Sequence, residues 1–93
     1  MEDDIVRVKV AIVNARGLHA RASAKFVETA AKFRSEITVM KDDHSVSGRS
    51  IMGLMMLAAA KGSIVELVAK GPDAREAIAA LTSLIAARFQ EDT

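Results

Sequence analysis

Residues 5–26 read IVRVKVAIVNARGLHARASAKF, and a change of period inside this stretch decides the architecture. Val6, Val8, Val10 and Ile12 alternate with Arg7 and Lys9, the two-residue repeat of a strand with one face buried and one in water. A strand over about 5–13 is predicted. Asn14 to Gly17 break the alternation as a turn. Beyond them the apolar positions become Ala22, Phe26, Ala30 and Phe33, a spacing that predicts a helix over 20–33.

His19 stands where strand period gives way to helix period, with Arg21 two residues on. A helix beginning just after His19 aims unpaired N–H groups, and the positive end of its dipole, at whatever the imidazole carries. That place suits an anion. A neutral imidazole is a competent nucleophile toward phosphorus, and of its two nitrogens one can take a phosphoryl group while a hydrogen bond orients the other. The helix terminus favours the neutral, attacking ring. After transfer, the same N–H groups and the planar fork of Arg21 suit the phosphoryl oxygens. A lone histidine at a helix start is ordinarily a cap or a surface residue, so the rest of the chain must supply the distinction.

Further along, EITVMK (36–41) reads as a short strand, DDHS as a turn and residues near 45–48 as an edge strand completing a hairpin. Ser50 is a candidate cap for a short helix that Gly53 weakens and Gly62 stops. SIVELVAK (63–70) alternates as a fourth strand. Asp73 followed by Glu76 has the spacing of a capping box, and Ile78, Leu81, Ile85 and Phe89 form the stripe of a last helix running nearly to the C-terminus. The order β-α-β-β-α-β-α predicts a two-layer α+β domain, helices covering one face of the sheet and water the other.

Composition narrows the function. Ninety-three residues, 51% of them hydrophobic, make a single domain over 1–93. Tryptophan and tyrosine are absent, and no Gly-x-x-Gly clamp occurs, so a nucleic-acid-binding module lacks its stacking and backbone-gripping parts. Without cysteine there is no thiolate metal site, disulfide or cysteine nucleophile, and a cytoplasmic setting is expected. His44 reads as an exposed turn residue rather than a metal ligand. No metal, cofactor or membrane insertion is expected; the start MEDDIVRVKV is unlike a secretory signal. Net charge is +1, yet five of the twelve acidic side chains (Glu2, Asp3, Asp4, Glu91, Asp92) lie at the termini. The body between them is basic, which suits an acidic partner protein.

Two short motifs supply the missing distinction. GLHAR (17–21) and SIMGLM (50–55), with AKG (60–62) before the fourth strand, occur in one cysteine-free chain of this length and element order. Together they resemble the HPr family, the histidine-containing phosphocarriers of the bacterial phosphotransferase system. The resemblance implies an open-faced β-sandwich, a four-stranded antiparallel sheet in the order 1-4-2-3 with three helices on one face. It implies that His19 accepts a phosphoryl group, on Nδ1, from enzyme I charged by phosphoenolpyruvate, passes it to an enzyme IIA-type protein, and has Arg21 beside the phosphate. The protein is then a carrier and not a free-standing enzyme, with a monomer as its simplest state.

The same resemblance makes Ser50 the position that HPr kinase/phosphorylase modifies in many bacteria. A phosphate there adds about −1.5 to −2 charges beside an apolar patch and repels an acidic partner. That patch is expected from Ile51, Met52 and Met55, with Met56 beside them, ringed by Arg16, Lys25 and Arg49; Leu54 and Leu57 are the core candidates of this helix. One departure is Ala22, where many members have proline after HAR. A first-turn proline lacks only an N–H with no intrahelical partner, so alanine leaves the chemistry intact. It opens an alternative: a regulatory protein of the nitrogen-related branch, controlled by phosphorylation and acting by binding targets rather than driving sugar uptake.

Overall fold

The computed structural model describes residues 4–93. Its elements are β1 (Asp4–Ala11), α1 (Ala20–Ala30), β2 (Glu36–Lys41), β3 (His44–Ser47), α2 (Ile51–Met56), β4 (Ile64–Gly71) and α3 (Ala74–Ala86). The strands form one antiparallel sheet in the order β1-β4-β2-β3. The chain is an α+β open-faced sandwich with the strand order that the resemblance implies.

Register explains the two faces. Val8, Leu67, Val39 and Val46 lie in one row across all four strands, and Val6, Ala69 and Ile37 in the next. A one-residue slip would move every one of these side chains to the water side. Ile37, Val39, Val65, Leu67 and Ala69 are buried beneath the helices, where they meet Ala22, Phe26 and Ala30 of α1, Leu54 of α2 and Ala77, Ile78, Leu81 and Ile85 of α3. The opposite face carries Lys9, Glu66, Met40 and Ser45 in a row, with Arg7 Nη1 3.9 Å from Glu66 Oε1.

Three local expectations need correction. α1 stops at Ala30 and not at 33: the chain closes through Lys32 N–H to Thr29 O at 3.1 Å and Phe33 N–H to Ala30 O at 3.2 Å, so Phe33 packs from a turn. Asp73 does begin α3 but forms no capping box. Its carboxylate turns outward to accept Arg34 N–H and Ser35 N–H, each at 2.9 Å, and the Ser35 hydroxyl at 2.6 Å. These bonds tie the α1–β2 loop to the start of α3. Phe89 is fully buried, yet it does not continue the helix. After Ala86 the chain enters a left-handed turn in which Arg88, Phe89 and Gln90 have φ of 57°, 54° and 64°. The turn drives the Phe89 ring into the core and sends residues 91–93 back across the molecule.

Candidate functional site

The loop before α1 is built by Asn14 and Gly17. Gly17 N–H donates to Asn14 O at 3.2 Å, and Asn14 Nδ2 donates to Gly17 O at 2.8 Å, so the turn is closed by backbone and side chain together. Gly17 has φ +65° and leaves no room for a Cβ against Ala59. Leu18, buried, donates its N–H to Ala59 O at 2.9 Å. His19 follows as the N-cap residue of α1 in extended conformation (φ −74°, ψ −179°), and its carbonyl accepts Ser23 N–H at 2.9 Å. The His19 side chain does not cap the helix. The first-turn N–H groups of Ala20, Arg21 and Ala22 have no partner one turn back, and no acidic residue occupies that turn.

The C-terminal segment completes the site, and periodicity gave no sign of it. His19 Nε2 lies 2.5 Å from Glu91 Oε2, and Asn14 Nδ2 donates to Glu91 Oε1 at 3.1 Å. Both side chains of this contact are mostly covered, with exposures of 15% for His19 and 13% for Glu91. Lys25 Nζ donates to Phe89 O at 2.7 Å, and Ala15 N–H donates to Thr93 O at 3.1 Å, so the tail is fastened on either side of Glu91. Burial alone would raise the Glu91 carboxyl. The hydrogen bonds from Asn14 and His19, with the charges of His19 and Arg16, outweigh it and hold the group below its ordinary value. The α1 terminus is therefore not the only group at the imidazole; the Glu91 carboxylate touches its far nitrogen.

Of the cations named from sequence, Arg16, Arg21 and Lys25 border one depression with the 90–93 tail. Arg16 also borders a second, shallower one with Leu18, His19 and the Ala58–Ala60 segment that follows α2. Arg49 lies elsewhere. Its Nη2 approaches the carbonyls of Phe33 (2.5 Å), Ser35 (3.4 Å) and Ala30 (3.5 Å), closing the C-terminal end of α1. His19 is at the opposite end of that eleven-residue helix, about 16 Å away. Ser50 Oγ accepts Gly53 N–H at 2.9 Å, the expected N-cap of α2. Leu54 and Leu57 are buried, whereas Ile51, Met52, Met55 and Met56 face solvent, Met52 and Met56 being 72% and 78% exposed. His44 is exposed at the start of β3, and among the described residues no three metal-ligating side chains cluster. No helix among them is long and apolar enough to cross a membrane.

Comparison with known proteins fits this geometry. Residues 6–87 match the family described as PTS HPr component phosphorylation site. A phosphocarrier protein HPr of Neisseria meningitidis is 54% identical over 87 residues, covering 94% of this chain and 98% of the relative. A phosphocarrier protein NPr of Shewanella violacea is 40% identical over 83 residues, covering 89% and 91%. The crystal structure of HPr-C-His from Thermoanaerobacter tengcongensis superposes with a TM-score of 0.90 at 48% identity, covering 95% of this chain and 99% of that one. The fold and these relatives define a small phosphocarrier of the phosphotransferase system. The chain belongs to the HPr family.

Proposed function

We propose that His19 is the phosphoryl acceptor, that the donor is phosphorylated enzyme I charged from phosphoenolpyruvate, and that the recipient is an enzyme IIA-type protein. The observation that carries this is the mostly covered imidazole at an α1 terminus whose first-turn amides no side chain occupies. A phosphoryl group on His19 meets those amides, the dipole and the Arg21 side chain in the same first turn. Nδ1 is the acceptor atom: Nε2 is engaged by Glu91, and Nδ1 takes no hydrogen bond among the described residues.

Docking uses the exposed Ile51, Met52 and Met55, adaptable side chains beside the His19 depression, with Arg16 and Arg21 steering acidic partners. Lys25 borders the His19 end of this surface and Arg49, next to Ser50 in the chain, its far end, each keeping its charge while bonded to backbone carbonyls. The protein works as a cytoplasmic monomer, in brief encounters suited to a relay. Ser50, at the edge of the same patch, is the site at which HPr kinase/phosphorylase would add a regulatory charge.

A regulatory role in the nitrogen-related branch is a second reading, favoured by Ala22 where many members of the family have proline. The higher identity to the Neisseria phosphocarrier favours relay. The test is incubation with phosphoenolpyruvate and enzyme I, followed by site mapping in the wild type and in His19→Ala. Label appears on His19 and is absent from the variant; equal labelling of both would refute the assignment.

A further inference from the structure

We infer that Glu91 is a positioning residue that fixes the His19 imidazole in its Nε2–H tautomer, and that Asn14 in turn fixes Glu91. The inference rests on His19 being the acceptor, and goes beyond it. Glu91 lies outside residues 6–87, the span that matches the family model, so the contact adds a residue that the motif around His19 does not contain.

The logic starts from hydrogen-bond inventory. A carboxylate only accepts, so the proton between Glu91 Oε2 and His19 Nε2 must be supplied by the ring. A neutral imidazole carries one N–H, and placing it on Nε2 leaves Nδ1 with its lone pair free. Asn14 makes the arrangement rigid. It is fully buried, and its two amide protons go to Gly17 O and Glu91 Oε1, so the carboxylate cannot rotate without breaking a covered bond. The tail bonds from Lys25 and Ala15 hold the Glu91 backbone at the same place.

In transfer, Nδ1 attacks phosphorus and the N–P bond forms as the bond from phosphorus to the donor breaks, its electron pair staying with the donor. No proton needs to leave Nδ1. The ring now bears PO3 on Nδ1 and H on Nε2, formally a cation, and Glu91 offsets that charge as a buried carboxylate does for an imidazolium elsewhere. The same pairing keeps the phosphoryl group on a good leaving group for the onward step.

Glu91→Gln separates this role from simple tail packing. Asn14 Nδ2 would hold the glutamine carbonyl at the Oε1 position, which turns the amide NH2 toward His19 Nε2. Nε2 must then accept, and the ring proton moves to Nδ1, the atom that should attack. The near-isosteric variant is therefore the worse one, whereas Glu91→Ala only frees the ring.

The experiment is 15N NMR of the His19 ring at a pH where it is neutral, in the full chain, with charging rates from phosphoenolpyruvate and enzyme I. Wild type shows Nε2–H. Glu91→Ala shows mixed tautomers and charges about tenfold more slowly, and Glu91→Gln shows Nδ1–H and is slower again. The inference is overturned if wild type carries the proton on Nδ1, if Glu91→Ala leaves the tautomer unchanged, or if Glu91→Gln charges as fast as Glu91→Ala. Labelling of His19→Ala would instead sink the acceptor assignment itself, while the tautomer result would still stand.

Discussion

Gly17 and Ala59 meet backbone to backbone, with no space for a Cβ between them, and Leu18 N–H closes the contact by donating to Ala59 O at 2.9 Å. This junction ties the loop carrying His19 to the segment leaving α2. It fixes the distance between the imidazole and the exposed apolar patch of that helix. The proposed acceptor and the proposed docking patch are thus held together at this junction.

Gly17→Ala is therefore expected to cost more than backbone strain alone. An L-residue at φ +65° loses about 1–2 kcal/mol, and the Ala59 clash adds to it. Gly62 is the control: its φ is +92°, and nothing lies within 4 Å of a Cβ added there. Urea denaturation should show Gly17→Ala as clearly the less stable of the two, and only that variant should also slow charging of His19. Equal losses in both would mean that the junction contributes nothing beyond φ.

Phe89 anchors the tail by burying its ring after three consecutive left-handed residues. Those three together cost several kcal/mol of backbone strain, at about 1–2 kcal/mol each, and the ring's burial is what offsets it. Phe89→Ala should lose about 3–5 kcal/mol. It should also release Glu91, so the His19 ring resonances change in a variant whose substitution never touched the ring. A melt that drops while the His19 signals stay fixed would contradict the coupling.

Ser50 has two separable roles. Ser50→Ala removes the acceptor of Gly53 N–H and should cost about 1 kcal/mol, with charging little changed. Ser50→Asp keeps an N-cap oxygen, so its stability should stay near wild type, while its negative charge beside Ile51 and Met52 slows charging. Raising the ionic strength should shrink that slowing. Slowing that is indifferent to salt would point away from charge and toward a change in the docking contacts.

Local periodicity carried much of this structure. The alternation of Val6, Val8 and Val10 gave the inner sheet face, EITVMK gave β2 at its observed limits, and Ser50 gave the α2 cap. Strand order came only through resemblance, because alternation assigns faces and not neighbours. What escaped was bonding between distant residues. Glu91 looked like one of several terminal acids, since its partner His19 is 72 positions away. Asp73 fitted a local cap pattern, and the better donors of Arg34 and Ser35 took its carboxylate instead. Phe89 kept the helical spacing of its stripe, although the backbone beneath it had already left the helix.

Acid should unfold the protein through these same two carboxylates. At Asp73 the Ser35 hydroxyl, and after it the Arg34 N–H, lower the carboxyl below its ordinary value. At Glu91 burial raises the carboxyl, but the bonds from Asn14 and His19 outweigh it, so this group too lies below its ordinary value. A carboxyl whose value is depressed in the folded state binds fewer protons there than in the unfolded chain, so stability rises with pH across that window. The contribution is fully present above the ordinary carboxylate range of about pH 4 and disappears as pH falls through the lower folded values. Urea midpoints measured from pH 7 down to pH 2 should be flat near neutrality and fall below about pH 4. In Asp73→Asn the fall should be shallower, and the gap from wild type, widest at neutral pH, should close in acid. A gap that stayed constant down to pH 2 would show that the charge on Asp73 is not what ties the α1–β2 loop to α3.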